Sequence, residues 1–194
     1  MFRKPLMALT GLSLLLAISP VRAGEPDMAA LTQEGKEVMM GFGTALKAEL
    51  VKAMKEGGPT KAIPVCNVEA PKLAKMASDK SGWAVGRSSH KLRNSKNTPD
   101  PFTRAAIDDF LAREAAGEKA DKMIKTAIVE EGGQKVFRLV KAIPTAKPCL
   151  NCHGGAGVKP KVVEALAKLY PDDAARGFSE GQMRGVFTLS KVLK

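Results

Sequence analysis

The sequence predicts an α+β fold, an antiparallel sheet with helices packed around it and a long helix ahead of it. Three observations predict it. Apolar residues recur at three- and four-residue steps from Met28 to Glu56. Two β-rich runs in "KMIKTAIVEEGGQKVFRLVKAI" flank Gly132 and Gly133, which is a hairpin signal. The order helix, helix, strand, helix, hairpin, helix, strand lacks the regular alternation that a parallel sheet requires.

The elements follow in order. Leu31, Val38, Met39, Phe42, Leu46, Leu50 and Met54 form one apolar stripe over residues 28–56, weakened by Gly41 and Gly43. Gly57, Gly58 and Pro59 should stop this helix. A second helical stretch is expected over Thr60 to Ala77, interrupted by Pro64 and Pro71. "WAVGRSSHK", Trp83 to Lys91, alternates as a strand does, and "LRNSKNTPD" is a polar loop. Asp100 caps a helix that opens on Pro101, has Phe102, Ala106, Phe110 and Leu111 as its buried stripe, and ends at Gly117. After the hairpin come a short helix from Lys161 to Leu169 and a last strand in "GQMRGVFTLSKV". No internal repeat or low-complexity segment is present.

The chain opens "MFRKPLMALTGLSLLLAISPVRA". Arg3 and Lys4 start it positively, an apolar run from Leu6 to Ile18 follows, and Val21 and Ala23 offer small side chains before Gly24. This layout predicts a secretory signal peptide over residues 1–23. The apolar run is too short for the about 20 residues that span a bilayer. Residues 24–194 then form a single exported domain, most simply periplasmic, without an integral membrane segment. Removing Arg3, Lys4 and Arg22 leaves 28 basic residues against 20 acidic ones, a net charge of +8. Export excludes most nucleic-acid partners, and the basic surface suits either plain solvation or steering toward an acidic redox partner.

Three cysteines is an odd count for an oxidising compartment. Two lie in "KPCLNCHGG", as Cys149 and Cys152, with His153 immediately after. Cys-x-x-Cys-His is the c-type haem attachment signature. Two thiols bond to two vinyl groups at one porphyrin edge, and the adjacent imidazole is carried to the iron as an axial ligand. A thioredoxin-like pair would open a helix in a βαβ unit, whereas Gly154, Gly155 and Gly157 follow here. A structural zinc site needs four ligands, and only Cys66 and His90 remain to complete one. A plain disulfide leaves His153 without a role. For the sixth iron ligand the sequence offers Cys66, His90 and several methionines, the latter more often packing groups. Cys66, in the apolar setting "AIPVCNVEAP", is either an inert core thiol or an iron-bound thiolate.

At this point the chain resembles a known family, exported single-haem c-type proteins with a PAS-like fold. Members of that family occur alone and as the sensory parts of bacterial membrane receptors. The resemblance rests on "AIPVC" followed by "AP", "GWAVGRSSHKLRN" with "NTPD", "KAIPTAKPCLNCHG" and "YPDDAARGFSEGQMRGVFTLS", which cover most of residues 62–190. It implies a PAS-like antiparallel sheet preceded by a long helix, one covalent haem c, and histidine and cysteine as axial ligands, here His153 and Cys66. Arg87, Lys91, Arg93 and Asn94 lie in a shared block and are candidate partners of the haem propionates. Two departures stand out: Pro64 just ahead of Cys66, and His90 where the family usually has an apolar residue.

A thiolate stabilises ferric iron, so Cys66 ligation implies a reduction potential below that of histidine–methionine cytochromes. Weakening of that bond on reduction would open a position for a diatomic gas. The expected function is electron transfer or redox or gas sensing, with a redox protein or a gas as partner. A peroxidase-like enzyme is the alternative from another class, for which no supported distal acid–base group is evident. Without haem, the alternative is a zinc or disulfide structural protein.

Overall fold

The computed structural model describes residues 25–193. The signal peptide expected over residues 1–23 lies outside them. Helix α1 spans Met28–Pro64. Asp27 starts it, its Oδ1 accepting from the N–H groups of Ala29 and Ala30 at 2.9 and 3.0 Å. At Gly57 and Gly58 the backbone leaves helical geometry, with φ +70° at Gly58, as the glycine pair led one to expect. The chain does not stop there, however. Pro59 sits at the start of a new helical run, where its missing N–H has no partner to lose.

The expected interruption at Pro64 takes a specific form. A single π-helical turn, Val65–Glu69, follows Pro64 and leads directly into α2, Ala70–Ser81. Proline removes an intrahelical hydrogen bond and crowds the preceding turn. Widening the next turn is one way a helix absorbs that insult. Cys66 lies on this π turn. Pro71, near the start of α2, causes no break.

Four strands form one antiparallel sheet in the order β1-β4-β3-β2. They are β1 Ala84–Ser88, β2 Ile124–Glu131, β3 Gln134–Pro144 and β4 Met183–Val192. The first is shorter than expected: Trp83 precedes it, and His90 and Lys91 lie in a bend beyond it. Gly132 and Gly133, with φ of +58° and +76°, make the two-residue β2–β3 turn. The α+β class, the long N-terminal helix and the flanking helices all appear as expected.

The sheet is sandwiched. On one face α1 packs Met39, Phe42 and Leu46 against Trp83, Phe137, Leu139, Phe187 and Leu189. Gly35 permits this approach, since a Cβ there would meet Leu139 and Trp83 at 3.0 Å. On the other face α3, Pro101–Ala115, packs Ala106, Ile107 and Phe110 onto Val140, Ala142, Met183 and Val186. Its buried stripe is Thr103, Ala106, Ile107 and Phe110. Phe102 and Leu111 are only partly buried, which corrects the expected stripe by one residue at each end.

Beyond β3 the chain makes a 3₁₀ turn, Lys147–Cys149, and a one-turn helix α4, Leu150–His153. Helix α5, Pro160–Leu169, then packs Val162 and Leu166 on Ile63 at the end of α1, with Tyr170 and Cys152 in the same cluster. This packing carries the CLNCH turn to the end of the long helix. No helix of the described residues is long and apolar enough to cross a membrane.

Candidate functional site

Cys149 ends the 3₁₀ turn and Cys152 and His153 lie on α4, so two thiols and an imidazole occupy one compact turn. All three cysteines are free thiols and half-buried. Burial pushes the Cys152 thiol up, only partly opposed by Arg93. The turn is anchored to the segment before β4: Phe178 donates to His153 O at 3.0 Å and Gly177 to Gly154 O at 3.0 Å.

The His153 ring is held from one side. Its Nδ1 lies 2.8 Å from the Ala175 carbonyl. A carbonyl only accepts, so Nδ1 carries the proton. The Arg184 Nε–H, which lies near both ring nitrogens, is then left to face Nε2 at 3.3 Å. Arg93 Nη1 also approaches Nε2, at 3.4 Å. Burial, then the positive charges of Arg184 and Arg93, push the His153 pKa down to about 2. The ring is neutral near pH 7, its Nε2 meets only the two long arginine contacts, and its orientation is set by a backbone carbonyl, as is usual for metal-bound histidines.

Arg93 is a structural clamp. It makes a fork with Asp173, Nε to Oδ1 at 3.1 Å and Nη2 to Oδ2 at 3.0 Å, and donates to the carbonyls of Cys152 and Ala175 at 2.7 and 3.2 Å. Arg184, on β4, differs. It donates to Ser89 Oγ at 3.1 Å, stacks on Phe178, and pairs with no carboxylate among the described residues. Burial first, then Arg93 and Arg87, lower its pKa to about 10. Arg87, on β1, stacks on Phe42. Burial lowers its pKa, while the charges of Cys66 and Tyr170 oppose that.

The same electrostatics locate Cys66. Ile63, three residues before it, packs in one cluster with Tyr170 and Cys152, and Cys66 is close enough to influence Cys152, Tyr170 and Arg87, so the π turn after α1 and the CLNCH turn border one site. Tyr170 is a buried member of the α5 cluster, and burial foremost drives its pKa up to about 12. Lys91 stacks on Phe178 and reaches the Arg176 carbonyl at 3.5 Å. Asn94 uses its side-chain oxygen locally, accepting from the Lys96 N–H at 3.0 Å to cap the turn Ser95–Asn97. His90 packs edge-on against Phe178, and its Nδ1 is buried without a hydrogen-bond partner. A groove of about 430 Å³ opens beside the turn, bordered by Pro59, Leu150, Gly155, Val158 and Phe178.

The sequence reading missed Asp173, Ala175, Phe178 and Arg184. All four lie in "YPDDAARGFSEGQMRGVFTLS", so the block was noticed but its residues were given no roles. The donor set fits an iron porphyrin: paired thiols, an adjacent neutral imidazole, a further thiol nearby, and cations without carboxylates to meet two propionates. It does not fit a zinc site, since no three His, Cys, Asp or Glu residues gather as metal donors among the described residues.

Comparison with known proteins agrees. The family model described as Tll0287-like matches residues 21–191. A solved structure, the crystal structure of the cyanobacterial heme-protein Tll0287, aligns with a TM-score of 0.64 and 20% sequence identity. The alignment covers 87% of this chain and 98% of that one. At such identity the likeness is one of fold. No curated protein matches the chain.

Proposed function

The chain belongs to the Tll0287-like family, and from that premise and the site chemistry we propose that it is an exported, periplasmic protein carrying one covalent haem c, working in electron transfer or in redox or gas sensing. The observation that carries the reading is the CLNCH turn, where two free thiols precede a half-buried, neutral His153 whose Nδ1 is engaged by Ala175 and whose Nε2 is not engaged by any backbone group. The solved relative is described as a heme-protein.

In this reading the thiols of Cys149 and Cys152 each add across a vinyl double bond, sulfur to one carbon and hydrogen to the other. His153 Nε2 and the Cys66 sulfur would hold the iron. Ala175 holds the imidazole ring in orientation, and the Arg93–Asp173 fork fixes the turn that carries it. When bound, the iron porphyrin supplies a one-electron couple and, with a vacated position, a site for a diatomic gas. Arg87, on β1 and stacked on Phe42, is the cation on the Cys66 side of the site. The sensing variant is favoured by the seat of Cys66 on a π turn behind Pro64, a backbone irregularity of the kind often found at functional sites.

Visible spectra of the purified protein, oxidised and reduced, with and without carbon monoxide, test this together with extraction by acidified organic solvent. Pigment that stays with the protein and a six-coordinate ferric form altered by Cys66→Ala are expected. Colourless protein, or pigment that washes out, would overturn the reading. Retained six-coordination on reduction selects electron transfer, and ligand loss with gas uptake selects sensing.

A further inference from the structure

The ring of Phe178 collects three donors that meet no anion among the described residues. Lys91 Nζ lies 5.0 Å from its centroid and the Arg184 guanidinium 5.3 Å. His90 stands edge-on to it at 5.7 Å. The partners of these groups are poor or missing. Arg184 meets a hydroxyl and an imidazole, Lys91 meets one carbonyl at the limit of hydrogen bonding, and His90 Nδ1 is buried with none. All three residues are half-buried, and a donor drawn partly out of water without a strong acceptor is unfavourable, most of all when it is charged. Three converging on one phenyl ring are explained by an acceptor that carries negative charge and has an apolar body.

We propose that His90, Lys91 and Arg184 form a carboxylate cradle on Phe178 that receives porphyrin propionate, so that His90 is a hydrogen-bond donor beside the cofactor and not its sixth iron ligand. The inference rests on the haem reading above. The His153 ring packs on the same Phe178 ring at 6.3 Å, which puts the cradle next to the iron ligand. Arg93 is excluded from the cradle because Asp173 already neutralises it. Arg184 therefore takes the charged role, Lys91 adds to it, and His90 supplies the directional N–H.

The test uses the pigmented protein and its variants His90→Phe, Arg184→Gln and Arg184→Lys. Resonance Raman spectra report the propionate bending mode, and redox titration reports the midpoint potential. The ferric band positions of His90→Phe should match the parent, while the propionate mode shifts in both His90→Phe and Arg184→Gln. The potential should fall in Arg184→Gln, since loss of a nearby positive charge favours the ferric state, and recover in Arg184→Lys. Conversion of His90→Phe to a five-coordinate ferric form would overturn the proposal by making His90 an iron ligand. Unchanged propionate mode and potential in every variant would overturn it too. So would an acetate titration that perturbs the parent but not Arg184→Gln while the propionate mode stays constant, because the cradle would then hold a free anion. If Arg184→Gln does not fold, His90→Phe and Arg184→Lys decide. A colourless parent would sink the haem reading itself, whereas pigmented variants without these shifts sink only the cradle.

Discussion

Arg138 and Arg184 sit on adjacent strands of one sheet, and the chain treats them differently. Arg138, on β3, is buried and stacked on Phe102. Its Nη1 donates to Glu131 at 2.6 Å and its Nη2 to Asp100, the residue that also caps α3. One guanidinium thus ties the hairpin, the sheet and a helix terminus together with anions from the chain itself. Arg184, on β4, is offered a serine hydroxyl and a histidine ring, with no carboxylate among the described residues. Removing a charge from water is tolerable when an opposite charge meets it. Where the chain supplies that charge the cluster is a closed structural device. Where it does not, the proposed cradle assigns the anion to the cofactor.

The contrast predicts an ordering of stabilities under urea. The largest effect should come from Asp173→Asn, which leaves the Arg93 cation buried and unpaired beside Arg184. Both partners are under 10% exposed, so a loss of about 3–5 kcal/mol is expected. A loss under about 1 kcal/mol would mean that Arg93 is neutralised by something other than Asp173. Arg138→Gln should cost about 2–3 kcal/mol, less because Asp100 and Glu131 are more than two-fifths exposed and regain water.

Acid should act on the Arg138 cluster next. Burial alone would raise the Asp100 pKa, but the Thr103 N–H and then Arg138 hold it below its ordinary 3.8. Its contribution is complete above pH 3.8 and is lost as the pH falls through the lower folded-state value. The urea midpoint of the parent should therefore fall more steeply below pH 4 than that of Asp100→Asn. Parallel curves would detach Asp100 from the acid response. The smallest effect should be that of Arg184→Gln in a Cys149→Ala/Cys152→Ala background, within about 1 kcal/mol either way. A loss as large as that of Arg138→Gln would make Arg184 a structural residue and erase the contrast.

Much of the fold was legible because its signals are local. Asp27 and Asp100 cap the helices that follow them, and the Gly132–Gly133 pair turns a hairpin whose register runs from Glu131 opposite Gln134 to Ile124 opposite Lys141. Pro64 was misleading in degree. A proline inside a helix need not end it when a wider turn can follow, and what the packing of Ile63 and Val65 demands is not written in the local sequence. On the site side, Cys149, Cys152 and His153 were legible as a contiguous motif. Cys66 was singled out by the odd thiol count and by resemblance, and its approach to the motif depends on α5 packing against the end of α1.

What the sequence determined by itself was whatever depends on neighbours a few residues apart: the caps, the glycine turn, the alternation of the strands and the spacing of two thiols and an imidazole. What only the tertiary structure decided was which charges are neutralised. Arg93 meets Asp173 across 80 residues, and Arg184 reaches His153 and Ser89 without meeting an anion among the described residues. Charge pairing depends on distance and burial in space, and a basic residue looks the same along the chain whether the fold brings it a carboxylate or only a hydroxyl and an imidazole.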